Sequence, residues 1–270
     1  MQKRSVFFIS DSTGITAQTL GQSVLSQFEK IDFQQYVIPY VDTIAKAEQA
    51  LKRINMAAVE SGAKPIVFDT LLDEAVAKVL DQANCQRFNM LETYIKPLEI
   101  ELKSASSHTI GRAHGQSSKK SYDSRMDAVH FAMNNDDGAR TDYYDMADII
   151  LTGVSRCGKT PTCLYLALQH GIYAANYPIT EDDLEQMSLP KVLKPFKDKL
   201  FGLTIQAERL TKIRNERKSN SRYASMRQCQ MEVAEVEAMY RRLGLNFIDV
   251  TVLSIEEIAA SILDQTSLER

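Results

Sequence analysis

The sequence of 270 residues has few cysteines, and none of them are spaced as a metal-binding pair. Its four cysteines form no C-x-x-C motif, so the sequence gives little support to a zinc site or a dithiol redox centre. Long apolar runs are also missing. The apolar segment 6–9 is too short for the core of a signal peptide, and the sequence contains no candidate transmembrane segment. We therefore expect a cytoplasmic protein that binds no membrane.

An excess of positive charge is absent as well. The formal net charge is −3 and the isoelectric point is near 5.9, values that argue against general affinity for nucleic acid. Hydrophobic residues make up 44% of the chain and charged residues 25%, which is close to the averages for soluble globular proteins. A chain of this length can bury a large core and suggests about two domains.

One motif dominates the sequence. Residues 153–160 have the sequence G-V-S-R-C-G-K-T and fit the phosphate-binding pattern G-x-x-x-x-G-K-[ST]. The apolar run 147–152 before it predicts a buried strand, and residues 161–168 after it predict a helix. This order of strand, loop and helix favours a nucleotide-binding loop over an ordinary turn with a surface lysine. The predicted nucleotide-binding residues are Gly153, Val154, Ser155, Arg156, Cys157, Gly158, Lys159 and Thr160.

Three side chains of this loop have chemistry that can be predicted. The N–H groups at the start of the helix favour an anion, and Lys159 would neutralise phosphate oxygens. Thr160 would bind a magnesium ion through its hydroxyl. Cys157 lies beside Arg156 near the helix N-terminus, a setting that lowers the pKa of a thiol and suggests redox control. We favour the simpler interpretation that Cys157 is a small residue that fits the loop.

Strands and helices alternate along the chain, which predicts an α/β fold with parallel sheets and right-handed crossovers. We assign residues 1–103 to an N-terminal parallel-sheet α/β domain and residues 125–270 to a P-loop kinase-like α/β domain. Residues 104–124 are predicted to be a flexible linker or loop. His108 and His114 in this linker lack the helical spacing of metal ligands, so we interpret them as solvated. Strands are predicted at 5–9, 36–41, 65–68, 147–152, 174–179, 201–205 and 246–251, and helices at 15–28, 45–61, 71–83, 127–134, 161–168 and 228–243.

Three polar segments each allow a functional and a structural interpretation. Residues 11–14, D-S-T-G, end the first strand and form either an anion or partner site or a helix N-cap. Asp136 and Asp137, followed by Gly138, either supply a carboxylate for proton transfer or for magnesium or form an Asx-type turn. The basic segment 209–227 is either a lid that closes over phosphates or a solvated helix face, and the loop-like residues within it favour the lid.

Taken together, these segments resemble the bifunctional regulatory proteins of phosphoenolpyruvate synthase and of pyruvate, phosphate dikinase. The matching segments span nearly the whole chain in the order of that family, and their combination is more specific than the P-loop alone. The resemblance is closer to the synthase regulators. The segments are D-S-T-G at 11–14, D-D-G at 136–138, the P-loop with the proline that follows it, A-A-N-Y-P at 174–178 and N-S-R-Y-A at 220–224.

The resemblance implies two opposed activities on a partner enzyme, either phosphoenolpyruvate synthase or pyruvate, phosphate dikinase. One activity phosphorylates a threonine of the target with ADP as phosphoryl donor and inactivates it. The other removes that phosphate with inorganic phosphate as acceptor, releases pyrophosphate and reactivates the target. The dependence on ADP is implied by the resemblance alone, since neither spacing nor composition indicates it. We also expect Mg²⁺ at the site and a homodimeric protein.

Catalytic roles are hypothesised for three residues. Lys159 stabilises charge on the transferred group, Asp137 accepts the proton of the target threonine, and Arg222 covers the phosphates. Thr160 is the predicted metal ligand. Two other classes of function remain open from the sequence: a small-molecule P-loop kinase that uses ATP, and a nucleotide-binding interaction module without turnover.

Overall fold

The computed structural model describes residues 2–108, 119–185, 188–219, 221–266 and 268. The chain divides into two compact units, residues 1–116 and 117–270. Part of the predicted linker, residues 109–118 with His114, lies outside the described residues, as does Asn220. Of the described helices, none combines the length and the apolar character that crossing a membrane requires.

The first unit is built on a parallel sheet with the strand order β2-β1-β3-β4. Side chains of β1 alternate between two cores because successive residues of a strand point to opposite faces. Phe7 and Ile9 pack with α2 and α3, whereas Val6 and Phe8 pack with α1. Its described elements are β1 Gln2–Ile9, α1 Ile15–Leu25, β2 Ile31–Ile38, α2 Ile44–Ser61, β3 Ile66–Asp69, α3 Glu74–Leu80, β4 Gln86–Asn89 and α4 Glu92–Leu102.

The second unit repeats this arrangement, with a parallel sheet in the order β6-β5-β7-β8. Short 3-10 segments lie at Asp136–Gly138, Thr141–Met146, Lys194–Lys199 and Arg222–Ala224. The larger elements are α5 Lys119–Asn134, β5 Ile149–Gly153, α6 Lys159–His170, β6 Ala174–Pro178, α7 Glu181–Glu185, β7 Leu200–Thr204, α8 Ala207–Arg217, α9 Met226–Leu243, β8 Phe247–Asp249 and α10 Ile255–Gln265. The predicted α/β fold with two parallel sheets is therefore confirmed.

The N-terminal helix departs from the prediction. A helix was predicted at 15–28, but it ends at Leu25, and the large residues Val24 and Phe28 are 42% and 53% exposed. The helix buries Ala17, Gly21 and Leu25 instead. A Cβ on Gly21 would lie 2.4 Å from the ring of Phe8, so α1 approaches the sheet through a small residue that the spacing of large residues did not indicate.

Other element limits also differ from the sequence prediction. The second strand begins at Ile31 rather than at residue 36, and the third helix is limited to Glu74–Leu80, with Asp73 capping it. The strand Gln86–Asn89 was not predicted, because only Phe88 interrupts its polar sequence with a large apolar side chain. Residues 119–124, which were assigned to the linker, belong to α5.

Candidate active site

The predicted phosphate-binding loop, residues 153–160, begins at the end of β5, an inner strand of the second sheet. All five residues of β5 are buried. Gly153 has a φ of 156°, and a Cβ on it would lie 2.5 Å from the carbonyl oxygen of Leu203. Gly158 has a φ of 89° and precedes α6 without a side-chain cap. The first glycine is thus required by close packing and the second by its left-handed backbone.

The ammonium group of Lys159 is held inside this loop. Lys159 is only 4% exposed, and its Nζ donates hydrogen bonds to the carbonyl oxygens of Gly153 at 3.1 Å and Val154 at 2.9 Å. Among the described residues, no carboxylate lies within ion-pair distance of this ammonium. The loop carbonyls accept hydrogen bonds from its N–H groups but do not neutralise its charge, and such an environment favours an anion.

The hydroxyl of Thr160 contacts the acidic turn that precedes β5. Its Oγ1 donates a hydrogen bond to Asp136 Oδ1 at 2.7 Å. The same carboxylate oxygen accepts a hydrogen bond from Nδ2 of Asn176, a fully buried residue of β6. The Asp136 carboxylate therefore binds side chains of the loop and the neighbouring strand, rather than the backbone of its own turn as an Asx-type turn would require.

The neighbouring carboxylate, Asp137, is placed differently. Asp137 has a left-handed backbone with a φ of 47° and a ψ of 35°, and its N–H donates to Asn176 Oδ1 at 3.1 Å. Its side chain is exposed and has no hydrogen-bond or ion-pair partner in the part of the chain that the structure describes. Left-handed backbone is unfavourable for a residue with a Cβ and persists where surrounding contacts enforce it. Asp137 thus follows the acid that contacts the loop, and its own carboxylate is exposed.

The basic segment reaches the P-loop through Arg214 and Tyr223. Arg214 is fully buried, and its guanidinium forms a bidentate pair with Glu232, with distances of 3.2 and 2.7 Å. It also donates to the carbonyl oxygen of Ser155 at 3.1 Å, and it lies 4.1 Å from the centre of the Tyr223 ring. The hydroxyls of Tyr223 and Ser155 are 2.9 Å apart. The tip of the loop is therefore tied to α8, α9 and the turn between them.

Arg222, the predicted lid residue, does not contact the loop in this conformation. Its side chain is 79% exposed, and its Nη2 lies 3.6 Å from Oε2 of Glu181. An exposed pair at this distance contributes little to stability. The structure thus brings Lys159, Thr160 and the acidic turn together and leaves Arg222 at the surface. Its predicted role in covering phosphates remains a prediction.

Cys157 is a buried packing residue of the loop. It is 1% exposed, and burial raises the pKa of its thiol, an effect that outweighs the opposing influence of the Lys159 charge. The expectation of a lowered pKa next to Arg156 is therefore wrong, because desolvation dominates at this position. The preferred interpretation, a small residue that fits the loop, agrees with this environment.

The N-terminal D-S-T-G segment does not cap α1 with a side chain. Gly14, with a φ of 83°, occupies the cap position, and no side-chain cap bond is present. Asp11 instead accepts a hydrogen bond from the N–H of Leu72 at 3.3 Å, and the N–H of Ser12 donates to Ser10 Oγ at 3.1 Å. The segment therefore supplies the N-cap residue of α1, Gly14, without a side-chain bond to the helix, and its function as an anion or partner site stays a prediction.

The oxygen atoms around Thr160 suit a magnesium ion. Mg²⁺ prefers oxygen ligands and is commonly bound through one or two protein oxygens together with substrate phosphates. The Thr160 hydroxyl and the Asp136 carboxylate are oxygens of this kind. Among the described residues, no cluster of three or more His, Cys, Asp or Glu side chains forms a protein-only metal site. The residues present therefore fit a cation that is shared with a phosphate ligand.

Sequence reasoning missed several residues that the structure brings to the loop: Asp136 as the partner of Thr160, and Asn176, Arg214 and Tyr223. One signal was available for Asn176, a polar residue in the apolar strand Ala174–Pro178, since buried polar groups in strands need specific partners. Arg214 gave no such signal, because it lies among several other basic residues of α8. Nothing in that sequence indicates that one of these basic side chains is buried and the others are exposed.

Comparison with known proteins gives matches along the whole chain. The model of a family described as "Kinase/pyrophosphorylase" matches residues 6–263. A protein of Stutzerimonas stutzeri (strain A1501) is 56% identical over 268 residues, which cover 99% of this chain and 98% of that protein. Proteins of Ectopseudomonas mendocina (strain ymp) and Pseudomonas aeruginosa (strain LESB58) are each 55% identical with the same coverage. All three bear the name "Putative phosphoenolpyruvate synthase regulatory protein".

Proposed function

Because this chain belongs to the kinase/pyrophosphorylase family, we propose that it regulates phosphoenolpyruvate synthase by reversible phosphorylation. The names of its relatives point to that target enzyme. In the forward direction, the β-phosphoryl group of ADP passes to the hydroxyl of a target threonine and leaves AMP. In the reverse direction, an oxygen of inorganic phosphate attacks the phosphothreonine, which gives pyrophosphate and the free hydroxyl.

The observation that carries this proposal is the contact between the phosphate-binding loop and the acidic turn, through Thr160 and Asp136. Lys159 lies in the loop without a counter-charge among the described residues, and Asp137, the residue after Asp136, is exposed. Phosphoryl transfer depends mainly on positioning and charge neutralisation, so one loop serves both directions. It would hold the phosphates of ADP in one direction, and inorganic phosphate or the pyrophosphate being formed in the other.

Each residue of the site has a proposed role. Lys159 and the loop N–H groups neutralise the phosphates, and Thr160 binds the magnesium ion that would accompany them. Asp137 accepts the threonine proton in the forward direction and returns it to the leaving oxygen in reverse, as microscopic reversibility requires. Its exposure supports access by the side chain of a folded protein substrate. Arg222 would cover the phosphates after the basic segment moves from its contact with Glu181.

Label transfer from two nucleotides tests this function. The protein is incubated with purified phosphoenolpyruvate synthase and either ADP labelled at the β-phosphate or ATP labelled at the γ-phosphate. We expect label on a threonine of the synthase with ADP only, and labelled pyrophosphate when inorganic phosphate is then added. A parallel reaction with pyruvate, phosphate dikinase tests the alternative target. Transfer from ATP to a small metabolite, with no label on either enzyme, would contradict the proposal.

A further inference from the structure

We propose that Asp136, held by Asn176 against Thr160, is the carboxylate of a divalent-cation subsite that accompanies the nucleotide. This inference rests on the proposed function, because it concerns the same loop. In P-loop nucleotide hydrolases, the cation is held by the loop Ser or Thr and by an acid at the end of a neighbouring strand. Here the acid in contact with the loop threonine comes instead from the turn that precedes the P-loop strand.

The end of β7 supplies no acid for this task. The strand ends at Thr204 and is followed by Ile205 and Gln206. The carboxylate that Thr204 contacts is Glu237 of α9, at 2.9 Å, and Glu237 is also paired with Arg241 at 2.6 Å. The charge of Glu237 is therefore already neutralised by Arg241. The hydroxyl that Glu237 contacts belongs to Thr204 and not to Thr160 of the P-loop.

Among the described acids near this edge of the sheet, Asp136 is set apart by its contact with the loop threonine, since Asp183 also accepts hydrogen bonds only from neutral donors, which belong to Tyr177 and Thr180. Glu232 is paired with Arg214, and Glu181 lies beside Arg222. Asp136 accepts hydrogen bonds only from neutral donors, the hydroxyl of Thr160 and the amide of Asn176, and it forms no ion pair with any residue that the structure describes. No cationic side chain among the described residues balances this carboxylate. A divalent cation that accompanies the phosphates would do so.

Asn176 is a positioning residue for the two acids. It is fully buried on β6, donates to the carboxylate of Asp136 and accepts from the N–H of Asp137. The Asn176 amide thereby holds Asp136 against the loop, while Asp137 keeps an exposed carboxylate. The two adjacent acids consequently have different tasks: Asp136 serves the cation, and Asp137 serves the proton of the target hydroxyl.

Manganese binding provides a readout that does not depend on catalysis. Free Mn²⁺ is measured by electron paramagnetic resonance during titration of the protein in saturating ADP, with Mn²⁺ binding to ADP alone subtracted. We expect Asp136→Asn to weaken Mn²⁺ binding by at least about tenfold, and Asn176→Ser to weaken it by about tenfold. ADP affinity measured in EDTA should stay as in the wild type. Asp142→Asn is the matched control, since it removes an exposed acid from the same connection and should change neither affinity.

The outcomes separate this inference from the proposed function. Wild-type Mn²⁺ affinity in a folded Asp136→Asn variant overturns the inference, as does a loss confined to Asp137→Asn. If Asp136→Asn does not fold, the test uses Asp136→Glu, which keeps a carboxylate and should keep Mn²⁺ binding. Loss of Mn²⁺ binding in a folded Asp136→Glu variant overturns the inference. Failure of the wild type to bind ADP in EDTA would contradict the nucleotide site itself, which is a different result from a change in Mn²⁺ affinity alone.

Discussion

The two sheets share one strand order, but the loops after their matching strands differ in chemistry. Strands β1 and β5 both lie second in their sheets, and each leads to a loop that ends in a left-handed glycine, Gly14 with φ 83° and Gly158 with φ 89°. Neither of the helices after these glycines has a side-chain cap. The next residue is Ile15 in the first unit, which is 57% exposed, and Lys159 in the second, which is 4% exposed.

The acids that the two units place near their sheets differ as well. In the first unit, Asp69 at the end of β3 is fully buried and forms a bidentate pair with Arg87, at 2.7 and 3.0 Å. In the second unit, Asp136 has neutral donors only and Asp137 has no side-chain partner among the described residues. In each unit, helix N-termini lie at the edge of that unit's own sheet where its parallel strands end. Under the proposed function, the chemistry depends on one buried lysine and on two acids that have no cationic partner among the described residues.

The largest expected effect is on the exposed acid. Asp137→Asn keeps the shape of the side chain and removes its capacity to accept a proton, so ADP-dependent phosphorylation should fall about 10²–10⁴-fold. Phosphate-dependent release of pyrophosphate should fall less, because inorganic phosphate is already an anion, although the leaving oxygen still needs a proton. Both rates and ADP affinity are measured on one preparation, with Asp142→Asn as control.

Two results would change the assignment of Asp137. Loss of ADP binding together with both activities would reassign the residue to the metal or to loop structure. Full retention of kinase activity would move the base to another residue. ADP affinity is expected to survive, because Asp137 forms no hydrogen bond or ion pair with the P-loop among the described residues; its N–H donates to Asn176.

The second prediction compares the residues next to the two glycines. Lys159→Ala removes a buried cation beside the phosphates and should lower both activities by about 10²–10³-fold. Ile15→Ala, at the matching position of the first unit, should leave both rates unchanged, because an exposed apolar side chain there neutralises no charge. Initial rates in both directions with purified target check the pair of variants. Wild-type rates for Lys159→Ala would show that the P-loop assignment is wrong.

Much of this difference between the units was predictable from sequence. The P-loop pattern predicted the loop of the second unit with its flanking strand and helix, and the helix predicted at 45–61 agrees with α2, Ile44–Ser61, whose caps are Thr43 and Gly62. Local patterns fail where packing depends on distant partners. Gly21 permits α1 to contact Phe8, and this close approach, rather than the spacing of large residues, decides which face of the helix is buried.

The same limit applies to the candidate site. Asp136 and Asp137 are adjacent in sequence, so no pattern distinguishes the acid that binds Thr160 from the acid that remains exposed. Asn176, which lies 40 residues further along the chain, makes that distinction by binding the side chain of one and the backbone of the other. The pair between Arg214 and Glu232 likewise depends on packing of α8 against α9. In the sequence, Arg214 lies in the basic segment and Glu232 in a separate predicted helix, so no local pattern links them.

The third prediction concerns that buried ion pair. Glu232→Gln leaves the guanidinium of Arg214 buried without its counter-charge, which should lower the free energy of unfolding of the second unit by about 3–5 kcal/mol. Glu235→Gln is the matched control, because Glu235 is an exposed acid of the same helix. Urea unfolding, followed by hydrogen exchange of peptides from each unit, gives the measurement. Equal destabilisation of both units, or no destabilisation, would contradict the expectation.

The smallest expected effect is on the cysteine of the P-loop, and it again contrasts the two units. Burial raises the pKa of the Cys157 thiol, so folding favours the neutral thiol. This contribution to stability is present near neutral pH and is lost as the pH rises through the raised pKa of the folded state. A neutral thiol that is 1% exposed should react slowly with a thiol reagent, whereas Cys85 of the first unit is partly exposed and should react first. Mass spectrometry of the modified peptides gives the order, and Cys157→Ser should keep both activities. Rapid modification of Cys157 that is prevented by ADP would contradict this order, because it would require the loop to open and expose the thiol to solvent. That result would support redox control of the nucleotide site.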